Sequence, residues 1–411
     1  MPILLPEEKN NPLPKMYPVR QVFSREQVDD IPGTVRAEMG KEEIAGKIEP
    51  GMNVAIAVGS RGIKNLSTIV KTVISCVRKA GANPYVVAAM GSHGGGTGEG
   101  QLEILDSYGI TEEKLGVPVV AQMDTVCLGK TNGNVEVYFD KVASEADLVI
   151  PINRIKLHTD FPGPIQSGLC KMLVIGLGNH VGCTRMHEVP LVEFGKTIIE
   201  ATQIILEKVQ VGLGIAVVEN AYDETALIEA IVAEELIHRE EQLLKFSSEQ
   251  MPRLMIPEID VLIVEEIGKD ISGAGFDPNI LGKSYIREEF TLPVPKISRM
   301  VLNNLSQKSH GNGLGMGVFD VMTKKAFEQL DYQATYANAI ASRTLEDARI
   351  PLIVTDEEEA LRIAIQVLEE VDKEKLKIVK IKNTLKLDEI EISEALLSVV
   401  DSHPYMTRNT K

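Results

Sequence analysis

The chain has 411 residues, 44% of them hydrophobic, and a formal charge of −16. The length exceeds what one core usually supports, so at least two domains are expected. The acidic balance excludes nucleic acid or an anionic membrane surface as the main partner, because each needs a basic face. Cys76, Cys127, Cys170 and Cys183 fit neither a CxxC zinc spacing nor a dense disulfide framework. The N-terminal MPILLPEEKNNPLPK has too short an apolar run for a signal peptide or anchor, and no run is long enough to span a bilayer. These features read as a cytoplasmic protein that binds a small molecule.

In chain order, NVAIAVGSR (53–61) predicts a buried strand, LSTIVKTVISCVRKAG (66–81) a helix stopped by glycine, and PYVVAAMGSH (84–93) a parallel strand. Their ends deliver GSRG and GSHGGG to one edge of a sheet, where ligands of open α/β sheets bind. A helix near 98–107, a strand at 117–123 and a strand over 147–158 ending in KLH follow. A helix is expected over 191–209, a strand over 211–220, and a charged helix from Thr225 to Phe246 whose Glu-rich part, 233–242, reads as a solvated face. The polar, proline-containing stretch 247–258 reads as a linker. Beyond it come a strand at 260–268, glycine-rich loops at 267–279 and 311–317, a strand at 351–356, a helix at 356–371 and a strand at 375–381. The expected architecture is two α/β domains with mostly parallel sheets, 1–250 and 251–411.

Four of the seven histidines, His93, His158, His180 and His187, fall in or beside loops of the first half. Histidine exchanges protons near neutral pH and is the commonest metal ligand. GSHGGGTGEG (91–100) can turn backbone N–H groups toward an anion, but it lacks the GK[ST] ending of a phosphate loop. Arg61 after a strand could grip a carboxylate with two hydrogen bonds. Lys171 in apolar surroundings could serve as a nucleophilic amine or could snorkel to water. Cys170 and Cys183 read as buried thiols.

Together, Arg61, GSHGGG with His93, KLH with His158, SGLCK with Lys171, and His187 sixteen residues later resemble the nickel-dependent lactate racemase family. The resemblance implies two α/β domains with the active site between them. It also implies a nickel pincer nucleotide, a pyridinium-3-thioamide-5-thiocarboxylate mononucleotide joined to Lys171. Carried over, His187 is the nickel ligand, His93 and His158 the acid/base pair, and Arg61 the group that orients the substrate carboxylate. Ser167, Gly94 and Gly95 are placed against the cofactor. The implied reaction is racemisation or epimerisation of a 2-hydroxy acid by hydride transfer, with cofactor-biosynthesis enzymes as partners and a homo-oligomer allowed. Val58, Gly62, Gly94 and the LC of SGLCK depart from the family pattern, which points to a 2-hydroxy acid other than lactate. Two rival readings stand beside it: a zinc hydrolase using His93, His158 and His187, and a non-catalytic protein that binds a nucleotide or hydroxy acid.

Overall fold

The computed structural model describes residue 4 and residues 9–60, 62–369 and 371–409. The chain divides into two compact units, residues 24–251 and residues 1–23 with 252–411. Both have the α/β architecture expected from the alternation of strands and helices. The first 23 residues belong with the C-terminal unit, whereas the sequence reading ran the N-terminal unit from residue 1.

The reason lies in strand β1 (Met16–Gln21). It pairs antiparallel with two strands near the C-terminus, 386–393 and 406–408. Gln21 is fully buried; its amide donates to the Leu387 carbonyl at 2.6 Å and its oxygen accepts from Met255 N–H at 2.8 Å. A buried amide with both ends satisfied pins the segment there.

In the unit of residues 24–251, the sheet is built from β2 (Asn53–Val58), β3 (Asn83–Ala88), β4 (Val119–Val120), β7 (Leu148–Arg154), β8 (Leu213–Glu219) and β9 (Thr225–Val232), in the order β4-β3-β2-β7-β8-β9. All neighbours are parallel except β8 and β9. β2 is buried from Val54 through Val58, as a central parallel strand covered on both faces must be. The helix Leu66–Lys79 lays Leu66, Ile69, Val70, Val73 and Val77 on the sheet at helical spacing. A separate hairpin, β5 (Thr125–Lys130) with β6 (Glu136–Asp140), was not expected from sequence.

The expected helix from Thr225 is corrected. TALIEAIV forms β9, antiparallel to β8, and the helix begins only at Leu236 and runs to Gln250. Residues 247–250 of the expected linker are thus its last turn, with Ser247 and Ser248 buried.

In the other unit the order is β13-β12-β11-β10-β14-β15-β1-β16. The strands β10 (Glu258–Ile267), β11 (Lys296–Leu305), β12 (Val321–Thr323), β13 (Leu352–Val354) and β14 (Ile378–Asn383) are parallel; β15 (Lys386–Ser393), β1 and β16 (Met406–Arg408) are antiparallel. Among the described residues, no helix is long and apolar enough to cross a membrane.

Candidate active site

Strand order reverses direction between β2 and β7, and the carboxyl ends of the two strands flanking such a point open a crevice for ligands. The chain runs from β2 into Gly59 and Ser60, from β3 into Gly91–Gly96, and from β7 into Ile155–His158. All the candidate histidines of the first half lie in or after these segments. Arg61 lies outside the described residues.

Close backbone contacts bring these segments together. Gly91 N–H donates to the Gly176 carbonyl at 2.9 Å, and a Cβ on Gly91 would lie 3.0 Å from the Ile175 oxygen. A Cβ on Gly59 would lie 3.0 Å from Met172 Cε. The loop after His93 then takes Gly94, Gly95 and Gly96 through φ of +66°, +67° and +66°, a region other residues enter at a cost. His93 is exposed, and its Nδ1 shares a hydrogen bond with the Ser60 hydroxyl. His180 Nδ1 lies 3.2 Å from where a Cβ of Gly96 would be, so His180 leans over this loop.

On the β7 side, Lys156 and Ser167 exchange backbone hydrogen bonds of 2.8 and 3.1 Å, and Asn153 donates to the Gly168 carbonyl at 2.7 Å. These bonds fix the start of the short helix Leu169–Lys171 against the end of β7. A π-helical turn, Met172–Gly176, follows Lys171 directly. Single π turns are frequent at functional sites.

Two phenylalanines then gather the candidate residues. The His158 ring stacks on Phe161 with centroids 4.2 Å apart, and Lys171 Nζ lies 5.7 Å from the same ring. Phe161 meets Phe194 at 4.7 Å, and His187 meets Phe194 at 5.4 Å. His158, Lys171 and His187 therefore surround one aromatic pair. His187 stands at the carboxyl end of the helix Asn179–Met186, and its hydrogen bond with Cys183 links it through that thiol to Ser92, the residue before His93. Burial pushes the Cys183 thiol up, but its bonds to His187 and Ser92 outweigh this and hold it below the usual value. Cys183 is thus buried, as the sequence suggested, and also a partner of His187.

Cys170, beside Lys171, points elsewhere. Its N–H donates to the Glu240 carboxylate at 2.9 Å, and its thiol is raised well above the usual range by burial and by Glu240. Glu240 is 1% exposed and is an exception to the solvated-face reading of 233–242, where Glu234, Glu235 and Glu241 are exposed. Burial pushes its carboxyl up to about 7, against the hydrogen bonds from Cys170 and Leu169. A Cβ on Gly168 would lie 2.2 Å from Glu240 Oε1, so the glycine makes room for this carboxylate at the helix start. Sequence reasoning missed Ser60, Phe161, Phe194 and Glu240. The GSRG motif flagged the first position as a strand-end loop, but nothing local marks Phe161, Phe194 or Glu240.

The fold and site thus define an α/β protein with a ligand-binding strand edge that carries histidines and a lysine. Residues 7–197 match the family model of the lactate racemase N-terminal domain. The whole chain is similar in fold to the lactate racemase apoprotein of Thermoanaerobacterium thermosaccharolyticum, with a TM-score of 0.55, 15% identity, and coverage of 93% of this chain and 96% of that one. Compared by sequence with curated proteins, the chain has no significant match. The resemblance to the lactate racemase family holds: residues 7–197 match its N-terminal domain, and the chain shares the lactate racemase fold.

Proposed function

We propose that the chain is a racemase or epimerase of a small 2-hydroxy acid that works with a nickel pincer nucleotide. The observation that supports this most is the convergence of Lys171, His187 and His158 on the Phe161–Phe194 pair. A lysine amine and one imidazole beside the same apolar wall fit a group tethered through an amide-like bond and holding its metal by a single protein nitrogen. Soft sulfur donors and an imidazole suit Ni(II). In this reading the bound group would take and return the substrate's α-hydrogen as hydride, a route open to a C–H bond too weakly acidic to lose a proton beside a carboxylate anion.

The chain's own residues supply the rest. His93 and His158 take the hydroxyl proton from either enantiomer and return it. Arg61 orients the substrate carboxylate, and Gly94, Gly95 and Ser167 lie against the nucleotide phosphate. The Phe161–Phe194 wall keeps water from the reacting centre. The substrate class is a 2-hydroxy acid other than lactate, the location is cytoplasmic, and cofactor-biosynthesis enzymes load the protein.

The three-histidine zinc hydrolase lacks its ligand set: among the described residues, no group of three His, Cys, Asp or Glu side chains could hold a metal ion. Loss of optical rotation from a panel of D- and L-2-hydroxy acids tests the proposal. Cofactor-loaded protein should racemise at least one acid, with His93→Ala and His158→Ala each slowing it by about 10²- to 10⁴-fold. Binding of an acid without loss of rotation would favour the non-catalytic reading and overturn this one.

A further inference from the structure

Histidine exchanges a proton through one ring nitrogen only if the other is held in a fixed state. To act as base, the exchanging nitrogen must be bare; to act as acid, it must carry the proton. In both working states the second nitrogen keeps its hydrogen. For His93 that second nitrogen is Nδ1, because Nδ1 faces the Ser60 hydroxyl. A hydroxyl could donate to a bare Nδ1 in the neutral ring, but only by accepting from Nδ1–H can it bond the ring in both the neutral and the cationic state.

Ser60 is itself held from two sides. Its carbonyl accepts from the Tyr108 hydroxyl at 2.7 Å. Tyr108 ends the helix Gly98–Ser107, which starts just after the glycine loop that carries His93. That start is capped by Thr97, whose hydroxyl accepts from Gly100 N–H at 3.2 Å. On the other side Gly59 seats the strand end against Met172, the residue after Lys171. His93 N–H donates to the Met90 carbonyl at 3.1 Å, which anchors the ring's own backbone. Loop, helix, Tyr108, Ser60 and His93 therefore close a ring of contacts, with the hydroxyl–imidazole bond as its last link.

We propose that Ser60 is a positioning residue for His93: its hydroxyl accepts from Nδ1–H and fixes the tautomer in which Nε2 is the nitrogen that takes and returns the substrate's proton. The inference rests on His93 acting as acid and base, but its test does not need turnover. Neutral imidazole in water favours the opposite tautomer, with the hydrogen on Nε2, so the fixed state has a distinct signature.

The test is ¹⁵N NMR of histidine-labelled, cofactor-free protein, with the His93 signals assigned by their absence in His93→Ala. Wild type and Ser60→Thr should show His93 with its hydrogen on Nδ1 above its titration. Ser60→Ala, with an otherwise unchanged amide spectrum, should revert toward the Nε2–H form. In loaded enzyme the same substitution should lower kcat by about 10- to 100-fold with little change in KM, shift the pH profile, and be rescued by threonine. A His93 tautomer that is the same in wild type and Ser60→Ala would overturn the proposal. So would covalent capture of Ser60 by a fluorophosphonate probe, which would make Ser60 a nucleophile. If the tautomer moves but no acid racemises, the positioning stands and the racemase reading fails.

Discussion

Two glycine-rich regions of this chain look alike in sequence and are built for opposite ends. In the N-terminal unit, Gly94–Gly96 form a loop beside His93, and a Cβ on Gly95 would meet nothing within 4 Å. In the other unit, Gly275 and Gly315 let two loops cross backbone on backbone: their Cβ atoms would lie 1.9 Å from the Leu314 oxygen and 2.1 Å from the Ala274 oxygen. At Gly95 the first needs glycine for its positive φ alone and stays open at the surface. The second needs it because no side chain fits. Glycine content alone does not say which.

Substitution breaks the comparison sharply. Gly275→Ala combines a φ of +86° with backbone overlap and should cost about 4 kcal/mol or more, measured by denaturant unfolding. Gly95→Ala meets only the left-handed backbone penalty of about 1 kcal/mol and should leave the fold intact. Equal losses at the two positions would mean that the loops do not differ as described.

Between these extremes lies Glu240. Its carboxyl is raised to about 7 in the folded protein against an ordinary value near 4.5. The folded state therefore holds the proton more tightly than the unfolded state. This contribution favours folding at acid pH, and stability falls as pH rises from about 4.5 to about 7, by about 3 kcal/mol across that window. Glu240→Gln keeps an oxygen for the Cys170 N–H and removes the titration, so its unfolding free energy should vary less between pH 5 and 8 than that of wild type. Parallel pH curves would show that Glu240 does not titrate in this range.

What the sequence made legible follows from the range of each signal. The unit from β2 to β3 could be read because its apolar runs and its amphipathic helix are local patterns. The segments carrying His93 and His158 could be located because strand ends deliver polar residues to one edge, whereas Lys171 and His187 stood out only through the resemblance to the lactate racemase family. The strand Thr225–Val232 was hidden because it runs straight into the charged stretch of the following helix, and only pairing with β8 sets it apart. Glu240 reads as surface, since its burial depends on Gly168 leaving space 72 residues away. Phe161 and Phe194 gather the site through tertiary contact, and no local spacing carries that. β1 joins the far unit through pairing with strands that lie hundreds of residues later.

The central claim is that Lys171 anchors a cofactor whose metal His187 holds. The most direct measurement is intact mass with nickel analysis, on protein from a host that demonstrably loads another lactate racemase. The account predicts an adduct on Lys171 with about one nickel per chain, no adduct in Lys171→Arg, and adduct retained with nickel lost in His187→Ala. An unmodified Lys171 without nickel in that host would contradict it.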